Sequence, residues 1–179
     1  ADGPAFRSRF MKLAAAINQG LADVGFPLCK GGVMAMNEKW CKSVAEWRDS
    51  LSAWMRSPQP EALLDANIFL DFRGLYGEVQ LADVLRKWLS DQVVSHQLFL
   101  RSLAQDAMRD GVESLTRNGV RVSLARALRK RGYRVNWLAP AQLEMKRGAT
   151  APVVYFARVL ALAKGISETS TDERLQALV

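Results

Sequence analysis

The chain has 179 residues, of which 49% are hydrophobic, and a formal net charge of +7. This size suits one domain, or one domain with a packed helical extension, and no run of 18 apolar residues or signal-peptide pattern is present. The two cysteines and single histidine fit neither a zinc site nor a disulfide framework, so a reducing cytoplasm is the expected compartment.

The first predicted element is a helix with one apolar face. Residues 6–24 carry apolar side chains at steps of three and four, and Gly25 is expected to end this helix. An extended segment follows and contains the adjacent glycines Gly31 and Gly32. The pair predicts a tight turn, or a loop whose backbone N–H groups approach a phosphate.

A second helix is predicted from the tryptophan-rich pattern that follows. Asn37 is the expected N-cap, and apolar residues then recur from Trp40 to Met55 at helical spacing. Pro58 and Pro60 should end the helix, with Pro60 as the first residue of a short third helix over residues 61–64.

The stretch Ile68 to Gly77 holds the main candidate site. Its apolar residues predict a buried strand over residues 68–72, interrupted by a single acid, Asp71. A buried carboxylate must be paired, bound to a metal or placed at an active-site edge. Arg73 would share a strand face with Asp71, so an ion pair at the end of an edge strand is the structural alternative to a functional role.

The remaining chain predicts mostly helices. One long helix is expected from Leu81 to about Met108, and His96 within it is assigned no role. A basic helix is predicted over residues 120–131. Pro152 should begin another helix, which ends at Gly165. Its predicted buried face comprises Val153, Phe156, Ala157 and Leu160. A capping box at residues 170–173 predicts a last helix to Val179.

The positive charge is concentrated in the second half of the chain. Residues 1–100 hold 11 basic and 11 acidic residues, whereas residues 101–179 hold 14 and 7. Residues 115–134 contain seven basic side chains and no acid. Such a stretch could bind phosphates or an acidic partner, but it lacks the interleaved aromatics of a nucleic-acid surface, so nucleic acid is not the expected partner.

Several segments resemble one protein family. They are residues 26–35, Asn37 and Trp40, residues 69–73 with Gly77, and, farther on, residues 143–148, 152–153, 157–162, 169–171 and 173–175. These segments resemble the signal-transduction nucleotidyltransferases related to the uridylyltransferase that modifies the PII nitrogen-regulator protein. Members of that family often carry cyclic-nucleotide-binding and CBS domains upstream.

The resemblance implies a fold class that is mainly α with a small β part. A truncated polymerase-beta-like nucleotidyltransferase portion (residues 1–78) would precede a helical bundle (residues 79–179). The implied chemistry is attack on the α-phosphate of a nucleoside triphosphate (NTP), with Mg²⁺ as cofactor. Asp71 matches the family's third catalytic carboxylate and would be a metal ligand. Candidate substrate-binding or phosphate-binding residues are Arg73, Gly31, Gly32, Lys146 and Arg147.

The sequence also departs from the family pattern. The Gly-Ser loop and the Asp-x-Asp pair, which supply the first two carboxylates, are not found before residue 70, so the isolated chain is expected to be a fragment without catalytic activity. A second departure lies between about residues 110 and 141. The alternative is a non-catalytic regulatory module that binds a protein partner or upstream regulatory domains. Exposed apolar surface would favour a homodimer.

Overall fold

The computed structural model describes residues 4–108 and 150–179, with only the backbone at residues 4 and 5. Within these ranges the chain forms seven helices and no strand. The mainly helical class is therefore confirmed, whereas the expected β part is not found in the described ranges. The chain divides into two compact units, Ala1–Ser50 and Leu51–Val179, here called unit 1 and unit 2. The domain boundary predicted after residue 78 stays a prediction.

Unit 1 begins with helix α1, Pro4–Asp23, as the apolar spacing predicted. Gly25 ends the helix in the left-handed region, at φ +103°. There the Gly25 N–H donates to the Ala22 carbonyl, and the Phe26 N–H donates to the Leu21 carbonyl at 2.9 Å. This pair of bonds is the Schellman arrangement that satisfies the last helical carbonyls.

Helix α2, Val44–Arg56, begins later than predicted. The prediction that Asn37 is its N-cap is wrong, because the Asn37 side chain instead closes a turn, donating to the Gly32 carbonyl and accepting from the Lys39 N–H. Ser43 and Glu46 cap the helix reciprocally: the Ser43 hydroxyl accepts from the Glu46 N–H, and the Glu46 carboxylate accepts from the Ser43 N–H.

An ion pair joins the first two helices within unit 1. Arg7 of α1 donates to the Glu46 carboxylate near the start of α2. The backbone N–H of Ser43 and the guanidinium of Arg7 stabilise the ionised carboxylate, and the pKa of Glu46 falls to about 2. Glu46 therefore both caps α2 and ties it to α1.

In unit 2, helix α3 spans Pro60–Phe69. Pro60 occupies the first turn, as predicted, but the helix continues beyond residue 64. The predicted strand over residues 68–72 is therefore wrong: Ile68 and Phe69 are helical, and Leu70 and Asp71 form a turn. Leu70 is buried after the helix, and the aromatic ring of Phe69 stacks on that of Phe72 with centroids 4.7 Å apart.

Two helices replace the long helix predicted after Gly77. Helix α4 spans Gln80–Val93, and helix α5 is described over residues 97–108. At the break, the Ser95 hydroxyl and the Ser95 N–H both donate to the Gln92 carbonyl. These local bonds compete with the helical ladder and allow the chain to turn. His96 lies in the break, and its carbonyl accepts from the Leu100 N–H in the first turn of α5.

Helices α6, Ala151–Ala163, and α7, Thr171–Leu178, pack against each other, and α6 also packs against α4. Gly165 ends α6 at φ +69°, and the Ser170 hydroxyl caps α7 by accepting from the Glu173 N–H, so both predicted boundaries are confirmed. The predicted buried face of α6 is largely wrong. Of its four members only Ala157 is buried, and the buried residues of α6 are instead Ala157, Arg158, Val159, Ala161 and Leu162.

The hydrophobic core of unit 2 draws side chains from α2 to α6. The largest fully buried side chains are Leu51, Val93, Phe99 and Leu103. Every helix in the described ranges is too short or too polar to cross a membrane. The basic helix predicted over residues 120–131 lies outside the described residues.

Candidate functional site

Asp71 lies in the turn that follows α3, and its carboxylate is held by Arg158 of α6. Arg158 Nε donates to Asp71 Oδ1 at 3.0 Å, and Arg158 Nη2 donates to Asp71 Oδ2. The third nitrogen, Nη1, donates to the backbone carbonyl of Asn67 at 3.1 Å and to its side-chain oxygen at 3.0 Å. This two-point pairing of a guanidinium with a carboxylate is the strongest geometry for such a pair.

A second arginine reaches the same carboxylate from α7. Arg174 Nη2 donates to Asp71 Oδ1 at 2.7 Å, and Arg174 Nε donates to the Glu168 carbonyl at 2.8 Å. Asn67 extends the network by donating to Asp106 of α5 at 3.2 Å. We call Asn67, Asp71, Arg158 and Arg174 the Asp71 clasp, because together they link α3, α6 and α7.

The two arginines of the clasp are buried, and the clasp carries more positive than negative charge. Arg158 and Arg174 are 4% and 2% exposed, and they are the buried charged residues of the described ranges. Asp71 is partly exposed. Burial raises the pKa of the Asp71 carboxyl, but the hydrogen bonds and charges of Arg158 and Arg174 outweigh this effect and hold the pKa below its usual value. Asp71 is therefore ionised, as the pair requires.

The ion pair expected for Asp71 is confirmed, but the predicted partner and setting are wrong. The partners are Arg158 and Arg174, which lie 87 and 103 residues beyond Asp71 in the chain, and not Arg73. Arg73 is exposed at the edge of a cleft described below. The error follows from the strand prediction, since a helix followed by a turn does not keep Asp71 and Arg73 on one face.

The donor set around Asp71 does not fit a Mg²⁺ ion. Mg²⁺ is held by several hard oxygen ligands, usually carboxylates. Here both carboxylate oxygens of Asp71 already accept from guanidinium groups, whose positive charge opposes a cation. In the described ranges no three His, Cys, Asp or Glu side chains cluster as metal ligands would. The metal-ligand and catalytic roles of Asp71 stay predictions that this geometry does not support.

Beside the clasp, unit 2 has an open cleft of about 890 Å³. One wall comes from the segment after α3 and from α4, with Arg73, Asp83 and Arg86. The other comes from the α6–α7 connection and α7, with Glu168 and Glu173 among its residues. Cavities that bind small molecules commonly have this volume and a few convergent polar groups.

Arg86 connects the cleft to the clasp. Its guanidinium donates to the carbonyl of Phe72, beside Asp71, and to that of Ser167 at 3.3 Å, beside Glu168. It also lies over the Phe72 ring at 4.9 Å. Burial lowers the pKa of Arg86, and the nearby Arg174 charge lowers it further. The clasp and the cleft walls therefore share the segment after α3 and helix α7.

The other predicted site residues do not join this arrangement within the described ranges. Gly31 and Gly32 lie in a turn of unit 1, where the Gly32 N–H donates to the Cys29 carbonyl at 3.0 Å. The tight-turn interpretation is thus confirmed, and phosphate binding by the pair stays a prediction. Lys146 and Arg147 lie outside the described residues.

Three site residues, Arg158, Arg174 and Arg86, were not predicted from the sequence. A usable signal exists for Arg158, which is the single charged residue of the otherwise apolar helix α6. Asp71 is likewise the single charged residue of an apolar run. Two isolated opposite charges in two apolar segments favour a buried pair, since neither could be buried alone.

Acid should weaken the clasp. Because the folded-state pKa of Asp71 lies below the unfolded value of about 3.9, its ionised form stabilises the fold above about pH 4, and this contribution is lost as pH falls through the folded pKa. We would measure urea unfolding of the protein and of Asp71→Asn at several pH values. The difference in unfolding free energy should shrink toward acid pH, and a difference independent of pH would contradict the assignment.

Two family models match the chain. One, described as "Putative nucleotidyltransferase DUF294", matches residues 1–61, and the other, described as "Putative nucleotidyltransferase substrate binding domain", matches residues 97–179. The two matches together assign the chain to the nucleotidyltransferase class of sequence families. The chain belongs to this DUF294 family, whose C-terminal domain is helical. A search of curated proteins gave no match, nor did a search of solved structures.

Proposed function

We propose that the chain is the substrate-binding part of a nucleotidyltransferase and that the cleft of unit 2 binds the nucleotide. The main support is that the family model described as a substrate-binding domain covers the α6–α7 wall of the cleft. Arg73 and Arg86 would contact the phosphates, as guanidinium groups do in other proteins. Glu168 and Glu173 would accept hydrogen bonds from sugar hydroxyls or from an amino group of the base.

The reaction proposed for the whole enzyme is transfer of a nucleoside monophosphate. An acceptor nucleophile would lose its proton and bond to the α-phosphorus, the bond from that phosphorus to the bridging oxygen would break, and pyrophosphate would leave. The sequence resemblance supports a relation to PII-protein uridylyltransferase and a place in signal transduction. The cytoplasm is the proposed location, where the free thiols Cys29 and Cys41 would stay reduced.

In this proposal Asp71 acts as a positioning residue. It holds Arg158 and Arg174, and through them the α6–α7 connection, against the turn after α3. The clasp would thereby fix the distance between the two cleft walls. Mg²⁺ remains the cofactor implied by the resemblance, and the described residues supply no step through it.

Nucleotide binding is testable by calorimetric titration of the chain with UTP and ATP, with and without Mg²⁺. We expect Arg73→Glu to weaken binding about tenfold or more, because it reverses a charge at the cleft edge. Lys87→Glu is the matched control, since Lys87 is an exposed cation of α4 that does not line the cleft. Its binding should equal that of the unchanged protein. The proposal would be contradicted if the unchanged protein did not bind either nucleotide, or if Arg73→Glu bound as tightly as Lys87→Glu.

A non-catalytic interaction module is the second candidate function. The observation that favours it is the exposed apolar face of α1 and the residue that follows it, where six large side chains are between 45% and 72% exposed. They are Phe6, Phe10, Leu13, Ile17, Leu21 and Val24. Exposed apolar surface of this extent marks interaction sites in folded proteins. In this reading the partner is a protein or an upstream regulatory domain.

A further inference from the structure

We propose that α1 pairs antiparallel with α1 of a second copy of this chain. The inference is independent of nucleotide binding and rests on unit 1 alone. The first observation that supports the pairing is that α1 exposes its large apolar side chains, whereas an ordinary amphipathic helix buries them. Among the described side chains of α1, Ala14 is the buried apolar one, and the buried side-chain oxygen of Asn18 also lies on this helix, whereas the large residues Phe6, Phe10, Leu13, Ile17 and Leu21 are exposed.

The outward residues have the spacing of a two-helix seam. Phe10, Ile17 and Val24 repeat every seven residues, and Phe6, Leu13 and Gly20 form the second repeat, four residues earlier in each case. This is the a and d pattern of helices that pack with knobs in holes. Apart from its own helix, nothing lies within 4 Å of the position that a Cβ of Gly20 would occupy, so a partner helix can approach closely there.

The exposed area is sufficient for a specific interface. Phe26 extends the face, since its N–H bonds to the Leu21 carbonyl and its side chain is 66% exposed. With about half of each large side chain exposed, the face presents roughly 700 Å² per copy. A symmetric pair that covered the whole face would bury up to about 1,400 Å² in total, which lies within the range of stable protein interfaces.

Charge selects the antiparallel orientation. The cations of α1, Arg7, Arg9 and Lys12, all lie in its first half, with Arg7 already paired to Glu46, and its acid, Asp23, lies at the end. In an antiparallel pair, the basic half of one helix lies beside the C-terminal end of the other helix, which carries Asp23 and the negative end of the helix dipole. A parallel pair would bring the two basic halves together, which opposes association.

The oligomeric state of the full chain tests the pairing. Light scattering with size-exclusion chromatography over about 1–200 μM should show a dimer, as expected for an interface of this area. Leu13→Glu and Ile17→Glu should give monomers, because each places a charge at the centre of the seam. The control Leu98→Glu changes a comparably exposed leucine of α5 and should stay dimeric. Circular dichroism should show equal helix content in all variants.

Three results would overturn the proposal: a monomer at every concentration, a dimer that persists in both seam variants, or a dimer lost equally in Leu98→Glu. A monomer that binds an apolar fluorescent dye only while the α1 face is intact would assign the face to a different partner and would overturn self-association.

Orientation is tested by disulfide trapping after replacement of Cys29 and Cys41 by serine. Phe6→Cys and Val24→Cys chains, once mixed and oxidised, should crosslink mainly to each other. Crosslinks restricted to identical chains would overturn the antiparallel arrangement.

Discussion

Replacing Asp71 with alanine should destabilise unit 2 by about 3 kcal/mol or more, because it leaves two buried arginines without their common carboxylate. The Arg174 guanidinium is already under-satisfied, since its Nη1 is buried and has no partner among the described residues. Loss of Asp71 would add further unpaired donors at the same place. Urea unfolding followed by the helical circular dichroism signal measures the change.

Asp91→Ala is the matched control for this substitution. Asp91 pairs with Lys87 on the surface of α4, and both side chains are more than half exposed. An exposed pair of this kind contributes about 0.5 kcal/mol or less. If Asp71→Ala kept full stability but lost a Mg²⁺-dependent binding or activity, the metal-ligand role would be supported and the clasp refuted.

The second large effect is expected at Arg158. Arg158→Lys should destabilise unit 2 by about 2–4 kcal/mol despite its retained charge, because an ammonium group cannot form the two-point bond to Asp71 and also reach both oxygens of Asn67. Arg158→Met should be at least as destabilising, since it leaves Asp71 with Arg174 alone. The same urea unfolding assay measures both variants.

A double-mutant cycle separates pairing from simple loss of packing. Asp71→Ala and Arg158→Met should be non-additive by about 1–3 kcal/mol, since both remove the same bonds. Arg101→Met, on the exposed surface of α5, should change stability by less than about 0.5 kcal/mol. Full stability of Arg158→Lys would show that the geometry of the guanidinium is unimportant.

Local signals in the sequence predicted the helix ends well. Gly25 and Gly165 adopt the left-handed conformation that a helix end favours, and the Ser170 hydroxyl caps α7 by accepting from the backbone N–H of Glu173, only three residues farther on. Such signals act between residues that are close in sequence, so they do not depend on how the helices pack against one another. Asn37 shows the limit of this reasoning, because a turn and a helix cap compete for the same side chain.

Apolar runs were harder to interpret. Residues 68–72 are short and apolar on both sides, and a buried strand and the buried end of a helix give the same pattern. Helix α6 is apolar around its circumference, so its periodicity could not indicate which face is buried. The clasp itself joins residues at least 87 positions apart, and its one signal in the sequence, a single charge in each of two apolar segments, does not come from helical or strand spacing.

The separation of the clasp partners along the chain also has consequences for folding kinetics. The first pair joins residues 87 positions apart, whereas the second arginine then lies only sixteen residues beyond the first. Contacts so distant in sequence tend to form late, after local helices. Interactions absent from the folding transition state mainly slow unfolding. We therefore expect the clasp to govern how long the assembled cleft persists, while the local helices govern how quickly it forms.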